Sequence, residues 1–169
     1  MKLASVRAIA RALNDGQVPF IVAGGLAVNA HGFGRLTWDV DLVIRLEPGA
    51  IRRAFAALGS LGYAPLVPVT ADGFADPVQR QRWIAEKGMV VLSFHSDVHR
   101  ETPVDVFVTE PFDFVTEHER ALVQEVAPGV PVRILALDTL ARLKRAAGRP
   151  QDAADLAELR LLHADLGDG

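Results

Sequence analysis

Cysteine is absent from the 169 residues, which removes disulfides, thiolate metal sites and cysteine nucleophiles and suits a reducing cytoplasm. Net positive charge is missing as well. Lys and Arg number 18 against 21 Asp and Glu, a formal charge of -3, so the chain as a whole lacks the basic balance that drives sequence-independent nucleic-acid binding. No apolar run approaches the roughly 20 residues needed to span a bilayer. The stretch from Met1 to Asp15 is interrupted by Lys2, Arg7 and Arg11, so it lacks the continuous apolar centre of a signal peptide and reads as an amphipathic helix. Repeats, low-complexity tracts and long flexible linkers are also lacking. A soluble cytoplasmic protein is the expectation.

Half of the residues are hydrophobic and 23% are charged, enough to build one well-packed unit. We expect a core over residues 1–135 with a C-terminal helical pair, 136–169, packed on it. Leu3, Val6, Ile9, Ala10 and Leu13 recur at helical spacing and stop at Asn14-Asp15-Gly16. Val18 to Ala23 reads as a strand, Leu26 to His31 as a brief helix, and Trp38 to Arg45 as a second strand. A helix from Glu47 to Gly62 follows, then a strand at Tyr63 to Val67. Residues 70–87 read as a connection with a helical turn. Met89 to Phe94 and Val104 to Val108 form a hairpin with a long loop, and Val130 to Leu135 is a further strand. Leu137, Leu140 and Ala141, then Ala153, Leu156, Leu159 and Leu162, mark two final helices broken at Gly148-Arg149-Pro150.

Chemistry concentrates between Phe20 and Ile44. Asp39 and Asp41 lie two apart on a strand, and the period of two puts both carboxylates on one side of the sheet. Two unit charges about 4 Å apart repel by about 1 kcal/mol in water and about 4 kcal/mol at an effective dielectric near 20, so a bound cation is the natural compensation. Asp105, if its strand pairs beside the second, adds a third carboxylate. Hard oxygen ligands at this density suit Mg²⁺ together with substrate phosphates, which points to phosphoryl or nucleotidyl transfer. Gly24-Gly25, between a strand and a helix, would let backbone N–H groups approach a phosphate.

Gly24-Gly25, thirteen intervening residues, Asp39-Val40-Asp41 and then Asp105 in Pro-Val-Asp-Val-Phe together resemble the nucleotidyltransferase superfamily typified by DNA polymerase beta. The resemblance spans about Val18 to Val108 and implies an α/β (α+β) fold, a mixed β-sheet flanked by helices. Within that superfamily, Ala23 to Asp41, with Arg35-x-Thr37-x-Asp39, is similar to a small bacterial branch that includes abortive-infection nucleotidyltransferase toxins. The segment Lys144-Arg-Ala-Ala-Gly-Arg-Pro-Gln-Asp152-Ala-Ala-Asp155 looks like a further motif of that branch. There a lysine and a downstream aspartate join the active site, by position Lys144 and Asp155. The second glycine departs from the many members that carry serine, which leaves phosphate contacts to the backbone.

The resemblance implies Asp39, Asp41 and Asp105 as metal ligands and catalytic residues, with Asp105 activating the acceptor. Gly24, Gly25, Arg35 and Lys144 would bind the triphosphate, and Asp155 would complete the site. It further implies transfer of a nucleoside monophosphate from an NTP, with Mg²⁺, to a tRNA end, a protein hydroxyl or a small molecule, and an antitoxin as an optional partner. A nucleotide- or partner-binding regulator of the same fold and a metal-dependent phosphodiesterase are the alternatives. Asp152 suits the first turn of the last helix, Thr37 a strand entry, and Trp38 and Trp83 packing positions. The five histidines show no metal-ligand spacing, and Ser93 lacks the surroundings of a hydrolase nucleophile.

Overall fold

The computed structural model describes residues 1–164 and 166. Seven strands form one mixed sheet in the order β3-β4-β5-β2-β1-β7-β6. Its centre is β1 (Phe20–Val22), fully buried, which runs antiparallel to β2 (Val40–Ile44) and parallel to β7 (Val130–Ile134). β2 continues outward to β5 (Val104–Phe107) in parallel, and β5 to β4 (Val91–Ser96) antiparallel, so the expected hairpin is present. β3 (Tyr63–Pro65) and β6 (Leu122–Ala127) are the two edges.

Helices α1 (Leu3–Asp15) and α3 (Pro48–Ser60) bury apolar stripes at helical spacing, Val6, Ile9, Ala10 and Leu13 in one and Ile51, Ala54 and Leu58 in the other. α2 (Gly24–Ala30) follows β1 directly. The last two helices, α7 (Leu137–Ala147) and α8 (Pro150–Leu162), join the same apolar core through Leu140 and Leu159. No helix of the described residues is long and apolar enough to cross a membrane.

Two segments depart from the sequence expectation. Residues 70–87 are not a connection: they form α4 (Ala71–Ala75) and α5 (Pro77–Lys87). The Thr70 hydroxyl accepts from the Gly73 N–H, the Asp76 carboxylate accepts from the Val78 N–H, and Pro77 fills the first helical turn, where no N–H is needed. Between β5 and β7 lie α6 (Phe114–Arg120), capped by the Asp113 carboxylate on the Thr116 N–H, and β6. β6 turns into β7 through Gly129 at φ +70. As an edge strand it is largely exposed and lacks the alternation that would mark it.

Candidate active site

The glycine break and the acidic strand are fitted to each other. Gly24 has φ +56, a left-handed conformation that side-chain-bearing residues adopt only at a cost. A Cβ there would lie 1.7 Å from Asp41 Oδ2, and one at Gly25 would lie 2.4 Å from Thr37 Oγ1 and 3.0 Å from an Arg35 guanidinium nitrogen. Both glycines therefore let β2 and its approach segment close against the start of α2. The Gly25 N–H favours the charged form of the Asp41 carboxylate, the weakest of the influences on that group.

Asp39 stands just before β2 and Asp41 within it, and parallel pairing places Asp105 of β5 directly opposite Asp41. One carboxylate oxygen from each of the three lies within 4.8 Å of the others. Burial, then the charges of Asp39 and Asp105, push the Asp41 carboxyl up to about 7, against partial relief from Arg149 and the Gly25 N–H. Asp105 is raised by burial, opposed by a hydrogen bond from Ser93, its neighbour across the β4–β5 pairing, and raised further by Asp39. Thr37, itself buried, donates from Oγ1 to Asp39 Oδ1 at 3.2 Å. Three half-buried carboxylates with too little positive charge between them make a donor set of hard oxygens, and this fits a divalent cation such as Mg²⁺. Among the described residues no histidine joins a cluster of this kind.

A second charged cluster lies behind the approach segment. The Asn29 side chain bonds both the N–H and the C=O of Arg35, each at 3.0 Å, and so ties that loop to α2. Arg35 donates to the Leu36 carbonyl, and its Nε lies 2.8 Å from Asp155 Oδ1 of α8, close enough for an ion pair although out of line for a hydrogen bond. Asp155 is fully buried and accepts from Lys144 Nζ at 2.6 Å and from Gln151 at 3.0 Å. Lys144 also bonds Asp152 at 3.0 Å.

Lys144 continues the stripe of Leu137, Leu140 and Ala141 by one step and faces inward, only 5% exposed. Its ammonium is held by two buried carboxylates rather than presented as a free cation for a triphosphate. Asp155 points inward too, with Lys144 and Arg35 as partners. Asp152 occupies the first turn of α8 as expected, accepting from the Arg149 N–H. Burial disfavours its charge, but bonds from Arg149 and Lys144 outweigh that and hold its pKa below the usual carboxylate value.

Sequence reading missed two residues. Ser93 is a neighbour of the acids, and pairing of its strand with β5 could have shown it. Arg149, in the break between α7 and α8, lies within electrostatic reach of Asp39 and Asp41, which only the three-dimensional arrangement reveals. Trp38 is a correction: it is 71% exposed rather than packed, because alternation from the inward Thr37 and Asp39 turns it outward, whereas Trp83 does pack against the core.

No protein-family model and no curated protein sequence matches the chain. Solved structures do. The solution structure of the antibiotic-resistance factor ANT(2'')-Ia is similar at a TM-score of 0.59 and 18% identity, over 98% of this chain and 84% of that one. The crystal structure of ANT(2'')-Ia in complex with adenylyl-2''-tobramycin gives a TM-score of 0.57 at 15% identity, over 98% and 89%. A candidate nucleotidyltransferase from Thermotoga maritima gives 0.56 at 14%, over 92% and 90%. The fold of this chain is accordingly the nucleotidyltransferase fold.

Proposed function

We propose that the protein is a nucleotidyltransferase that moves a nucleoside monophosphate from an NTP to a hydroxyl or phosphate acceptor. The observation that carries the reading is the acid cluster: three carboxylate oxygens within 4.8 Å, on a fold whose solved relatives include one in complex with an adenylylated aminoglycoside. Asp39, Asp41 and Asp105 would hold Mg²⁺, which when bound supplies positive charge to the triphosphate and to the leaving pyrophosphate. The acceptor oxygen attacks the α-phosphorus, the bond to the bridging oxygen breaks, and pyrophosphate departs. Asp105 would take the acceptor proton.

Gly24 and Gly25 let Asp41, Thr37 and Arg35 close against the start of α2, and in this reading they set the triphosphate site beside the acids. Arg35 faces that turn and contributes positive charge to it. Lys144 and Asp155 act as positioning residues in this reading, since they fix Arg35 through the buried ion pairs. The acceptor is a tRNA end, a protein hydroxyl or a small molecule such as an aminoglycoside. A toxin held in check by an antitoxin is the biological setting that the abortive-infection resemblance suggests.

Incubation of the purified protein with labelled NTPs, Mg²⁺ and, in turn, total RNA, cell protein and an aminoglycoside panel tests this. One acceptor class should become labelled with stoichiometric release of pyrophosphate, and Asp41→Asn should label none. Absence of labelling by the wild type, together with no heat of Mg–NTP binding in calorimetry, would refute the reading. Expression in a bacterial host separates the toxin setting from the rest: growth arrest by wild type but not by Asp41→Asn is the expected result.

A further inference from the structure

Lys144 is barely exposed and bonded by Asp152 and Asp155, and Arg35 is turned onto Asp155 and the Leu36 carbonyl. Arg149 differs from both. Its residue caps the start of α8 in extended backbone, directly after Gly148 in the left-handed conformation. Nε and Nη2 fork onto the Asp152 carboxylate at 2.7 and 3.2 Å, and the Arg149 N–H reaches the same group at 3.3 Å. This aims the guanidinium, yet its side chain remains 73% exposed. Of its five N–H donors two are engaged by Asp152, so three are left for an incoming acceptor. Arg149 also lies within electrostatic reach of Asp39 and Asp41 as well as of Asp152. A guanidinium anchored on one side, open on the other, linked through Asp152, Lys144 and Asp155 to Arg35 at the glycine turn and within electrostatic reach of the acids has the attributes of an oxyanion contact.

We propose that Arg149 is the phosphate-binding cation that the C-terminal helical pair supplies to the nucleotide, contacting the β- and γ-phosphates, with Asp152 holding its fork and Lys144 confined to the buried ion pairs behind it. The proposal rests on the nucleotidyltransferase reading. In the metal-free protein the acids attract Arg149. With Mg²⁺ held by Asp39, Asp41 and Asp105, the negative charge facing Arg149 would be that of the polyphosphate, and the bonds to Asp152 would keep the guanidinium aimed.

Calorimetric titration with Mg²⁺ and an α,β-methylene NTP, which cannot be cleaved, and separately with the corresponding NMP, tests the assignment. Wild type, Arg149→Gln and Arg149→Lys are compared after circular dichroism has verified the folded state of each. Arg149→Gln should weaken the triphosphate analogue about 10- to 100-fold, the loss expected for one charge-assisted contact, and change NMP affinity by less than about 2-fold. Arg149→Lys should fall between Arg149→Gln and wild type. Unchanged analogue affinity in Arg149→Gln overturns the proposal and leaves the nucleotidyltransferase reading standing, as does an equal loss for analogue and NMP. Failure of the wild type to bind the analogue overturns both.

Discussion

Replacement of Asp41 by Asn should stabilise the metal-free protein, and by an amount that depends on pH. The Asp41 carboxyl is raised from its ordinary 3.8 to about 7, first by burial and then by Asp39 and Asp105. Between those values the native state holds a proton that the unfolded chain has released, so metal-free stability is full below about pH 4 and is lost as pH rises toward 7. A shift of about 3 units at 1.36 kcal/mol each amounts to about 4 kcal/mol once Asp41 is ionised, the ceiling on what the neutral amide can recover. The amide keeps the shape of the side chain and removes the charge. Urea unfolding followed by circular dichroism, in EDTA, should show the two proteins close in stability at about pH 4 and Asp41→Asn ahead by up to about 4 kcal/mol at about pH 8. For a chain of this length that is about 8 to 16 °C in melting temperature. Added Mg²⁺ should raise the wild type alone, since only it retains all three carboxylates, and so close the gap. A variant no more stable than wild type at about pH 8 in EDTA, or a gap independent of pH, would refute the picture of three under-compensated acids.

Gly24→Ala puts a side chain into left-handed backbone, at about 1–2 kcal/mol, and drives its Cβ into Asp41. A lower urea midpoint and loss of Mg²⁺ binding by calorimetry are expected together. Lys144→Met leaves Asp152 and Asp155 buried without their shared ammonium, and a loss of about 3–5 kcal/mol in urea unfolding should follow. Ser93→Ala deletes a bond that favours ionised Asp105, so the Asp105 carboxyl should titrate at still higher pH when followed by carboxyl-carbon NMR. A downward movement would show that the hydroxyl favours the protonated acid.

The half of the chain that carries the acids was legible because it is written in periodicities that survive folding. Alternation along β2 places Asp39 and Asp41 on one face, and the short apolar runs around Phe94 and Val106 imply the hairpin that carries Asp105. The adjacency of β2 and β5 was a conditional step in the sequence and is a direct pairing in the structure. The helices at 71–87 were missed although Thr70, Asp76 and Pro77 are start signals, because α4 is only five residues long and α5 buries little beyond Arg80. Lys144 was recognisable as inward from its stripe. Its partners were not, since that requires the fold of α8 back onto α7. Trp38 was misjudged because size and apolarity favour burial on average, and alternation next to an inward acid decides the opposite here.

The opposition of Asp41 and Asp105 also bears on the order in which the molecule can be assembled. Their strands are parallel neighbours separated along the chain by α3, β3, α4, α5 and β4, so the acids meet only when that whole crossover has closed. Loop-closure entropy must be overcome before such non-local pairing is rewarded. Electrostatic opposition between the carboxylates is therefore absent from early, local structure such as α1 and the β6–β7 turn, and is met when β5 docks beside β2. A divalent ion would act on folding at that docking step, as a ligand of nearly complete molecules and not of the nascent chain.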